Sequence, residues 1–69
     1  MKQNYYVNNE AQSNGDHEVH TESCFYYPEI KSKAPLGEHE SCKEAVLAAK
    51  KVHYQVNGCI HCCRSCHTS

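Results

Sequence analysis

The sequence predicts a small α+β domain stabilised by a metal, with an N-terminal β-hairpin, one main helix and a C-terminal Cys-x2-Cys knuckle. Three observations predict this class. Cysteine and histidine gather near both ends of the chain, large aliphatic residues are scarce, and one segment has the apolar spacing of an amphipathic helix. The two groups of candidate metal ligands are His17, His20 and Cys24, followed by Cys59, His61, Cys62, Cys63, Cys66 and His67.

The length of the chain limits how large its core can be. We expect residues 1–69 to form one small metal-binding domain with frayed ends at 1–4 and 67–69. Such a chain buries only about 60% of its unfolded surface, and Val, Ile, Leu and Phe together account for only ten of the 69 residues. A core this thin needs a metal or disulfides. A structural zinc ion can supply about 10–16 kcal/mol of folding free energy at neutral pH.

The six cysteines could instead form disulfides, which need an oxidising compartment. The N-terminal residues lack an apolar signal segment, and no stretch approaches transmembrane length. We therefore expect a cytoplasmic protein with reduced thiols and no attachment to a membrane. The adjacent Cys62 and Cys63 are also an awkward start for a disulfide framework, so one zinc ion is the cofactor that the sequence favours.

The charge on the chain is nearly balanced. Seven Lys and Arg residues stand against eight Asp and Glu residues, for a net charge of −1 at pH 7. A protein that binds duplex DNA strongly needs a basic face. We therefore expect no strong duplex DNA binding, and we expect a monomer whose favoured partner is a protein.

Two β-prone runs, residues 5–7 and 17–20, predict the hairpin. The polar segment between them closes with Asn14-Gly15, a pair typical of turns. A further short run, residues 36–39, predicts an edge strand.

The main helix is predicted from residue 42 to residue 53 or 54. Ser41 and Glu44 have the spacing of a capping box, in which each side chain bonds a backbone amide of the first turn. Asn57-Gly58 is expected to end the helix, because Gly suits the left-handed residue after a helix end. The predicted apolar stripe consists of Cys42, Ala45, Val46, Ala49, Val52 and His53.

A tetrahedral zinc site usually takes two close pairs of ligands that the fold brings together. Cys59-x2-Cys62 is one pair, and His20-x3-Cys24 is the other. The sequence leaves alternatives open in the C-terminal group, namely Cys63, Cys66 and His67. His17 is interpreted as a strand surface residue, because three positions along a strand place it on the face opposite His20. His39 and His53 are interpreted as solvent-facing or packed polar residues.

The order of these motifs resembles a known family. The hairpin, His20-x3-Cys24, the capped Ala-rich helix and the closing Gly58-Cys59-x2-Cys62 are similar to Ada-like metal-binding domains. These comprise the zinc-binding N-terminal domain of the Ada repair methyltransferase and its small relatives. The resemblance, over about residues 5–62, implies a small α+β zinc fold with His20, Cys24, Cys59 and Cys62 as ligands.

The chain also departs from that family. In the repair protein the first ligand of the first pair is a cysteine that accepts a methyl group, and here that place is held by His20. The approach to Cys59 lacks the basic, Pro-containing segment of the repair protein. The resemblance therefore implies the fold without methyl transfer, and a DNA-binding relative without methyl-acceptor activity is one alternative.

Two functions compete. One is a zinc-binding module that contacts a protein through a helix surface carrying Leu47 and Tyr54 beside Lys43 and Lys50. The other is cysteine-based redox or metal-handling chemistry, because Cys42 lies in the first helical turn, where amide groups lower a thiol pKa. The position of Cys42 on the apolar stripe favours a buried, inert thiol. No carboxylate pair, Ser-His-Asp set or phosphate-binding loop is evident, so we expect no enzyme and no catalytic residue.

Overall fold

One helix packs against a four-stranded sheet in the computed structural model, which describes residues 2–25 and 27–68. The α+β class is therefore confirmed. The strands are β1 (Gln3–Asn8), β2 (His17–Thr21), β3 (Lys33–His39) and β4 (Val56–Gly58). The helix is α1 (Cys42–Ala49), and short 3-10 turns span Tyr27–Glu29 and Arg64–Cys66.

The sheet has the strand order β3-β1-β2-β4 and is mixed. β1 pairs antiparallel with β2, with Val7 opposite Val19, so the predicted hairpin is confirmed. β3 pairs antiparallel with the other side of β1, which confirms the predicted edge strand and extends it. β4 runs parallel to β2 at the opposite edge.

The hairpin loop is held by a buried carboxylate. Gly15 adopts a positive φ of 94°, a backbone conformation that glycine reaches without steric cost. Asp16, which follows it, is buried and accepts hydrogen bonds from Gln55 Nε2 at 2.6 Å, Asn14 Nδ2 at 3.1 Å and Asn57 Nδ2 at 3.2 Å. These bonds tie the loop to the segment that leads into β4.

The core is as thin as the composition predicts. Its cluster of buried residues contains Tyr5, Val7, Val19, Cys42, Ala45, Ala49 and Cys63. The largest fully buried side chains are two valines and two cysteines, Val7, Val19, Cys59 and Cys63. Sulfur therefore occupies positions that leucine or phenylalanine fill in a richer core.

The helix is shorter than predicted. It ends at Ala49, and the amides of Lys51 and Val52 bond to carbonyls three residues back, in the tighter pattern of a 3-10 turn. The chain must turn here to enter β4. Val52 lies beyond the helix and is 53% exposed, so its predicted place on the apolar stripe was wrong.

The predicted capping box does not form. The Ser41 side chain makes no capping hydrogen bond, although its backbone has the extended conformation of an N-cap. The Glu44 carboxylate accepts a bond from the amide of Glu40, one residue further upstream, at 3.3 Å. It also lies 3.5 Å from Nδ1 of His39, which draws it away from the Ser41 amide.

Asn57-Gly58 does not end the helix but forms most of β4, opposite Glu18 and Val19 of β2. A Cβ on Gly58 would lie 2.8 Å from the Cβ of Cys66. Glycine is required here by close packing, whereas the sequence analysis attributed it to a left-handed helix end.

Residues near both chain ends form hydrogen bonds within the described ranges. Gln3 and Asn4 pair with β3. The Thr68 amide donates to Asn57 Oδ1 at 3.0 Å. Met1 and Ser69 lie outside the described residues.

Candidate metal centre

Four potential ligands meet at one place in the fold. His20, Cys24, Cys59 and Cys62 each offer one ligand atom, and these atoms all lie within 4.8 Å of one another. His20, Cys24 and Cys59 are buried, and Cys62 is half-buried. These are the four residues that the sequence analysis favoured.

The first pair is positioned by β2 and the turn after it. Val19 faces the helix side of the sheet in the core, so the next residue, His20, points to the opposite face. The chain then turns, with the Cys24 amide bonded to the Thr21 carbonyl at 3.1 Å. This turn returns the Cys24 sulfur to 3.5 Å from Nδ1 of His20.

The second pair is positioned by β4. The Cys59 amide donates to the Val19 carbonyl at 3.0 Å, which continues the pairing of β4 with β2 to the edge of the site. The Cys63 amide then bonds to the Cys59 carbonyl at 2.8 Å and closes a turn that contains Cys62. Both sulfurs of the pair consequently face the His20 side of β2.

The distances among these atoms suit a tetrahedral ion. Ligands about 2.3 Å (sulfur) and about 2.0 Å (nitrogen) from a zinc ion lie about 3.5–3.8 Å apart at the corners of a tetrahedron. The Cys24 and Cys59 sulfurs are 3.9 Å apart. His20 Nδ1 lies 3.5 Å from the Cys24 sulfur and 3.9 Å from the Cys62 sulfur.

Backbone amides point at two of the sulfurs. The Thr21 amide donates to the Cys62 sulfur at 3.3 Å, and the His61 amide donates to the Cys59 sulfur at 3.4 Å. Such bonds favour a thiolate over a thiol, since the donor interacts more strongly with the charged form. The backbone is thus arranged for deprotonated sulfur, the form that binds metal.

When no cation is present, burial opposes the ionisation of these thiols. It raises the pKa of the Cys59 thiol to about 12, against the lowering contributed by the amides of Cys62 and His61. A thiolate there needs a positive charge beside it. A divalent ion among the four ligand atoms would supply that charge.

A carboxylate lies behind His20. Oε1 of Glu18 is 3.4 Å from Nε2 of His20, on the side of the ring away from the sulfurs. Histidines that bind metals commonly donate their second ring N–H to such a group. Glu18 was not predicted as part of the site, although two positions along a strand place Glu18 and His20 on the same face.

The alternative C-terminal ligands lie outside this cluster. The Cys63 sulfur is buried 3.8 Å from the Cys62 sulfur, and His67 Nδ1 donates to the Gly58 carbonyl at 3.0 Å. Cys66 is bonded to Cys42, so its sulfur does not act as a ligand in this state. The hydrogen bond with Cys62 is the main cause of a lowered pKa at Cys63.

The Cys42–Cys66 disulfide corrects the expectation that all thiols are reduced. It joins the first residue of α1 to the 3-10 turn Arg64–Cys66. Cys42 is buried, as predicted, but it is not a free thiol. The other four cysteines, Cys24, Cys59, Cys62 and Cys63, are not in disulfides.

Three further histidines, His17, His39 and His53, have structural contacts. His17 stacks on His53 with ring centroids 3.8 Å apart, and its Nδ1 donates to the Asn8 carbonyl. His39 Nε2 donates to the Leu36 carbonyl at 2.7 Å. All three are half-buried, which fits the interpretation of His39 and His53 as packed polar residues, whereas His17 was interpreted as a strand surface residue.

An open groove of about 350 Å³ adjoins the four-residue cluster. His20 and Cys59 form part of its wall, together with Glu10, Glu18 and Lys31. A cation could reach the buried sulfurs through this groove, and two carboxylates on the wall would attract it.

The predicted interaction face is only partly continuous. Leu47 is 56% exposed, and together with Lys43 and Lys50 it lines a second groove beside α1. Tyr54 is 93% exposed but follows the end of the helix and does not line that groove. Across residues 2–25 and 27–68, no helix has the length and apolar character that crossing a membrane requires.

Comparisons with protein-family profiles, with curated proteins and with solved structures found no match to this chain.

Proposed function

We propose that the chain is a small zinc-binding module in which His20, Cys24, Cys59 and Cys62 hold one zinc ion. The observation that carries this proposal is the convergence of four ligand atoms within 4.8 Å of one another. They come from two segments far apart in sequence, so a single ion would join the N-terminal hairpin to the C-terminal turn.

The donor set favours zinc over other common ions. Three thiolates and one imidazole are soft or borderline ligands, whereas magnesium and calcium take oxygen ligands. Zinc accepts a tetrahedron of sulfur and nitrogen without preference from its d electrons. Three thiolates and a neutral imidazole around Zn²⁺ leave the centre with a net charge of −1, which the surrounding amides offset in part.

The proposed role of the ion is structural. Four protein ligands complete a tetrahedron, and a catalytic zinc keeps one position open for water or substrate. We accordingly propose that the module is not an enzyme. The ion replaces the apolar burial that the thin core cannot provide.

The relation to Ada-like domains remains a proposal that rests on motif order. It is supported by the sequence of elements: a hairpin with the first ligand pair, a helix, and a closing Cys-x2-Cys pair. In that relation His20 takes the place of the methyl-accepting cysteine. An imidazole is not the metal-activated thiolate that accepts methyl groups in the repair protein, so we propose that methyl transfer from DNA is absent.

Chelation tests the structural role of zinc. Native mass spectrometry should count one zinc per chain, and removing it should collapse the dispersed amide spectrum, which returns when zinc is added. A chelated chain whose amide spectrum stays dispersed and unchanged would contradict the proposal.

Two matched variants test the ligand set. Cys24→Ser removes a sulfur of the cluster, and we expect it to lose stoichiometric zinc binding. Cys63→Ser makes the same chemical change at a buried sulfur outside the cluster, and we expect it to retain one zinc. Equal losses in both variants would show that the ligands are assigned wrongly.

The second part of the proposal concerns a partner. The groove beside α1 exposes Leu47 between Lys43 and Lys50, and both charged residues in its wall are lysines. Charge complementarity favours an acidic protein segment that inserts an apolar side chain. We propose this segment as the partner of a monomeric module, in place of duplex DNA, which needs a broader basic face.

A further inference from the structure

The Cys42–Cys66 disulfide lies in the wall of the groove beside α1. The groove has a volume of about 450 Å³ and is lined by both cysteines, by the helix residues Val46 and Leu47, and by two lysines. Ser65, whose hydroxyl is 3.2 Å from the Cys42 sulfur, also lines it. A disulfide in the wall of a surface groove is accessible to a thiol that binds there.

We infer that this disulfide is an exchange site for a cysteine carried by an acidic segment of a partner protein. The inference rests on the interaction groove proposed above and is independent of the zinc site. In this inference the groove both binds the partner segment and forms a covalent bond with it.

The positive charge of the groove favours an acidic segment of a partner protein. Lys43 lies in α1 and Lys50 directly follows its last residue, seven positions further along, and both are exposed at the groove. They favour an approaching thiolate and the carboxylates that flank it in an acidic segment. Leu47 offers apolar contact between the two lysines.

The two sulfurs of the disulfide differ in access. Cys66 is half-buried, whereas Cys42 is 8% exposed. Because thiol–disulfide exchange requires direct contact with the attacked sulfur, the partner thiolate attacks Cys66. A bond forms between the partner sulfur and Cys66, and the Cys42 sulfur leaves with the electron pair of the broken bond.

The surroundings of Cys42 suit a leaving thiolate. Cys42 is the first residue of α1, where backbone amides and the helix dipole favour negative charge. The Ser41 side chain does not cap those amides. The Ser65 hydroxyl lies within hydrogen-bonding distance of the same sulfur. The Cys42 thiolate therefore has two sources of hydrogen-bond donors, the amides of the first helical turn and this hydroxyl.

A dithiol partner completes the exchange. A second cysteine of the partner, as a thiolate, attacks the partner sulfur of the mixed disulfide and releases Cys66 as a thiolate. The partner then carries a disulfide, and Cys42 and Cys66 are both reduced. Two electrons pass from the partner dithiol to the protein disulfide, and the two protons of the dithiol end in solvent or on the released thiolates.

The test uses the zinc-loaded, oxidised chain and a synthetic acidic peptide with one leucine beside one cysteine. After acid quenching and alkylation, peptide mapping should find the peptide joined to Cys66 and the alkyl group on Cys42. Charge reversal in the double variant Lys43→Glu/Lys50→Glu should slow the reaction roughly tenfold. The same variant should keep more of its rate with 2-mercaptoethanol, whose thiolate is not flanked by carboxylates, and this comparison controls for the integrity of the disulfide.

Several results would overturn the inference: peptide attached to Cys42 or to a cysteine of the zinc cluster, no mixed disulfide, or equal rates for acidic and lysine-bearing peptides. A serine analogue of the peptide separates the two proposals. If it binds in the groove while the cysteine peptide does not exchange, this inference fails and the interaction surface stands. If it does not bind, both fail, and the zinc site is unaffected.

Discussion

His20 presents its two ring nitrogens to different partners. Nδ1 faces the sulfurs of Cys24 and Cys62, and Nε2 faces the carboxylate of Glu18. A carboxylate accepts a hydrogen bond but cannot donate one when ionised, so it favours the tautomer with the proton on Nε2. The lone pair of Nδ1 is then directed at the proposed zinc ion.

Glu18→Ala should therefore weaken zinc binding without removing a ligand. Loss of a carboxylate behind a metal-bound histidine costs about 10–100-fold in affinity, and competition with a chromophoric chelator measures it. Glu10→Ala is the matched control, because Glu10 lines the same groove and carries the same charge, but is not the carboxylate paired with His20. Equal effects in the two variants would mean that Glu18 acts only through the charge of the groove.

Asp16 is the second residue whose environment was not foreseen. Its carboxylate is buried among amide donors, and the bond from Gln55 is the main cause of a pKa below the usual value for an aspartate. A lowered folded-state pKa means that the ionised form stabilises the fold. That contribution is complete above the pKa of an aspartate in the unfolded chain, and it is lost as the pH falls through the lower folded-state pKa.

Asp16→Ala should lower the free energy of unfolding at pH 7, because it removes the acceptor of bonds from three side-chain amides, although Gln55 Nε2 keeps its bond to the Asn14 carbonyl. Gln55→Ala removes only one of those donors and should cost less. Urea denaturation of the zinc-loaded chains compares them. Both comparisons are made at pH 7, where the thiolates can still hold zinc, and equal free energies of unfolding for wild type and Asp16→Ala would contradict the stabilising role of this carboxylate.

At the scale of elements, β4 connects the fold to the proposed metal centre. Its three residues pair with β2 and deliver Cys59 to the cluster. Gly58 allows the 3-10 turn Arg64–Cys66 to cross directly over the strand, since a Cβ there would also lie 2.9 Å from the Cys63 carbonyl oxygen.

Gly58→Ala should therefore destabilise the chain by about 1–3 kcal/mol, the usual cost of overpacking. The reason is contact with the backbone, which cannot move aside as a flexible side chain would. Gly37→Asn is the comparison, because nothing lies within 4 Å of a Cβ at Gly37 and Asn tolerates its positive φ of 85°. Similar denaturation midpoints for wild type and Gly58→Ala would refute the close approach.

Local spacing explains which elements could be predicted. The hairpin follows from two β-prone runs around an Asn-Gly turn, and the four clustered residues follow from two close pairs. A three-residue strand such as β4 has no measurable periodicity, so Asn57-Gly58 resembled a helix end. The Cys42–Cys66 disulfide depends on how α1 packs against the C-terminal turn, and sequence spacing carries no information on that distance.

At the scale of the whole molecule, cross-links replace apolar burial in the C-terminal segment. The disulfide joins that segment to α1, and the proposed zinc ion joins it to β2 and the turn after it. Asn57 adds bonds to Thr68. Chain segments with so few large aliphatic residues cannot be fixed by hydrophobic contacts alone.

X-ray absorption at the zinc edge tests the central claim most directly, because it reports the ligand atoms of the zinc-loaded chain in solution. The predicted spectrum has three sulfurs at about 2.3 Å and one nitrogen at about 2.0 Å. Cys63→Ser should leave this spectrum unchanged, since its sulfur lies outside the cluster. A shell of four sulfurs in the wild-type chain would mean that another cysteine binds the ion in place of His20. A shell of oxygen and nitrogen would contradict the proposed centre altogether.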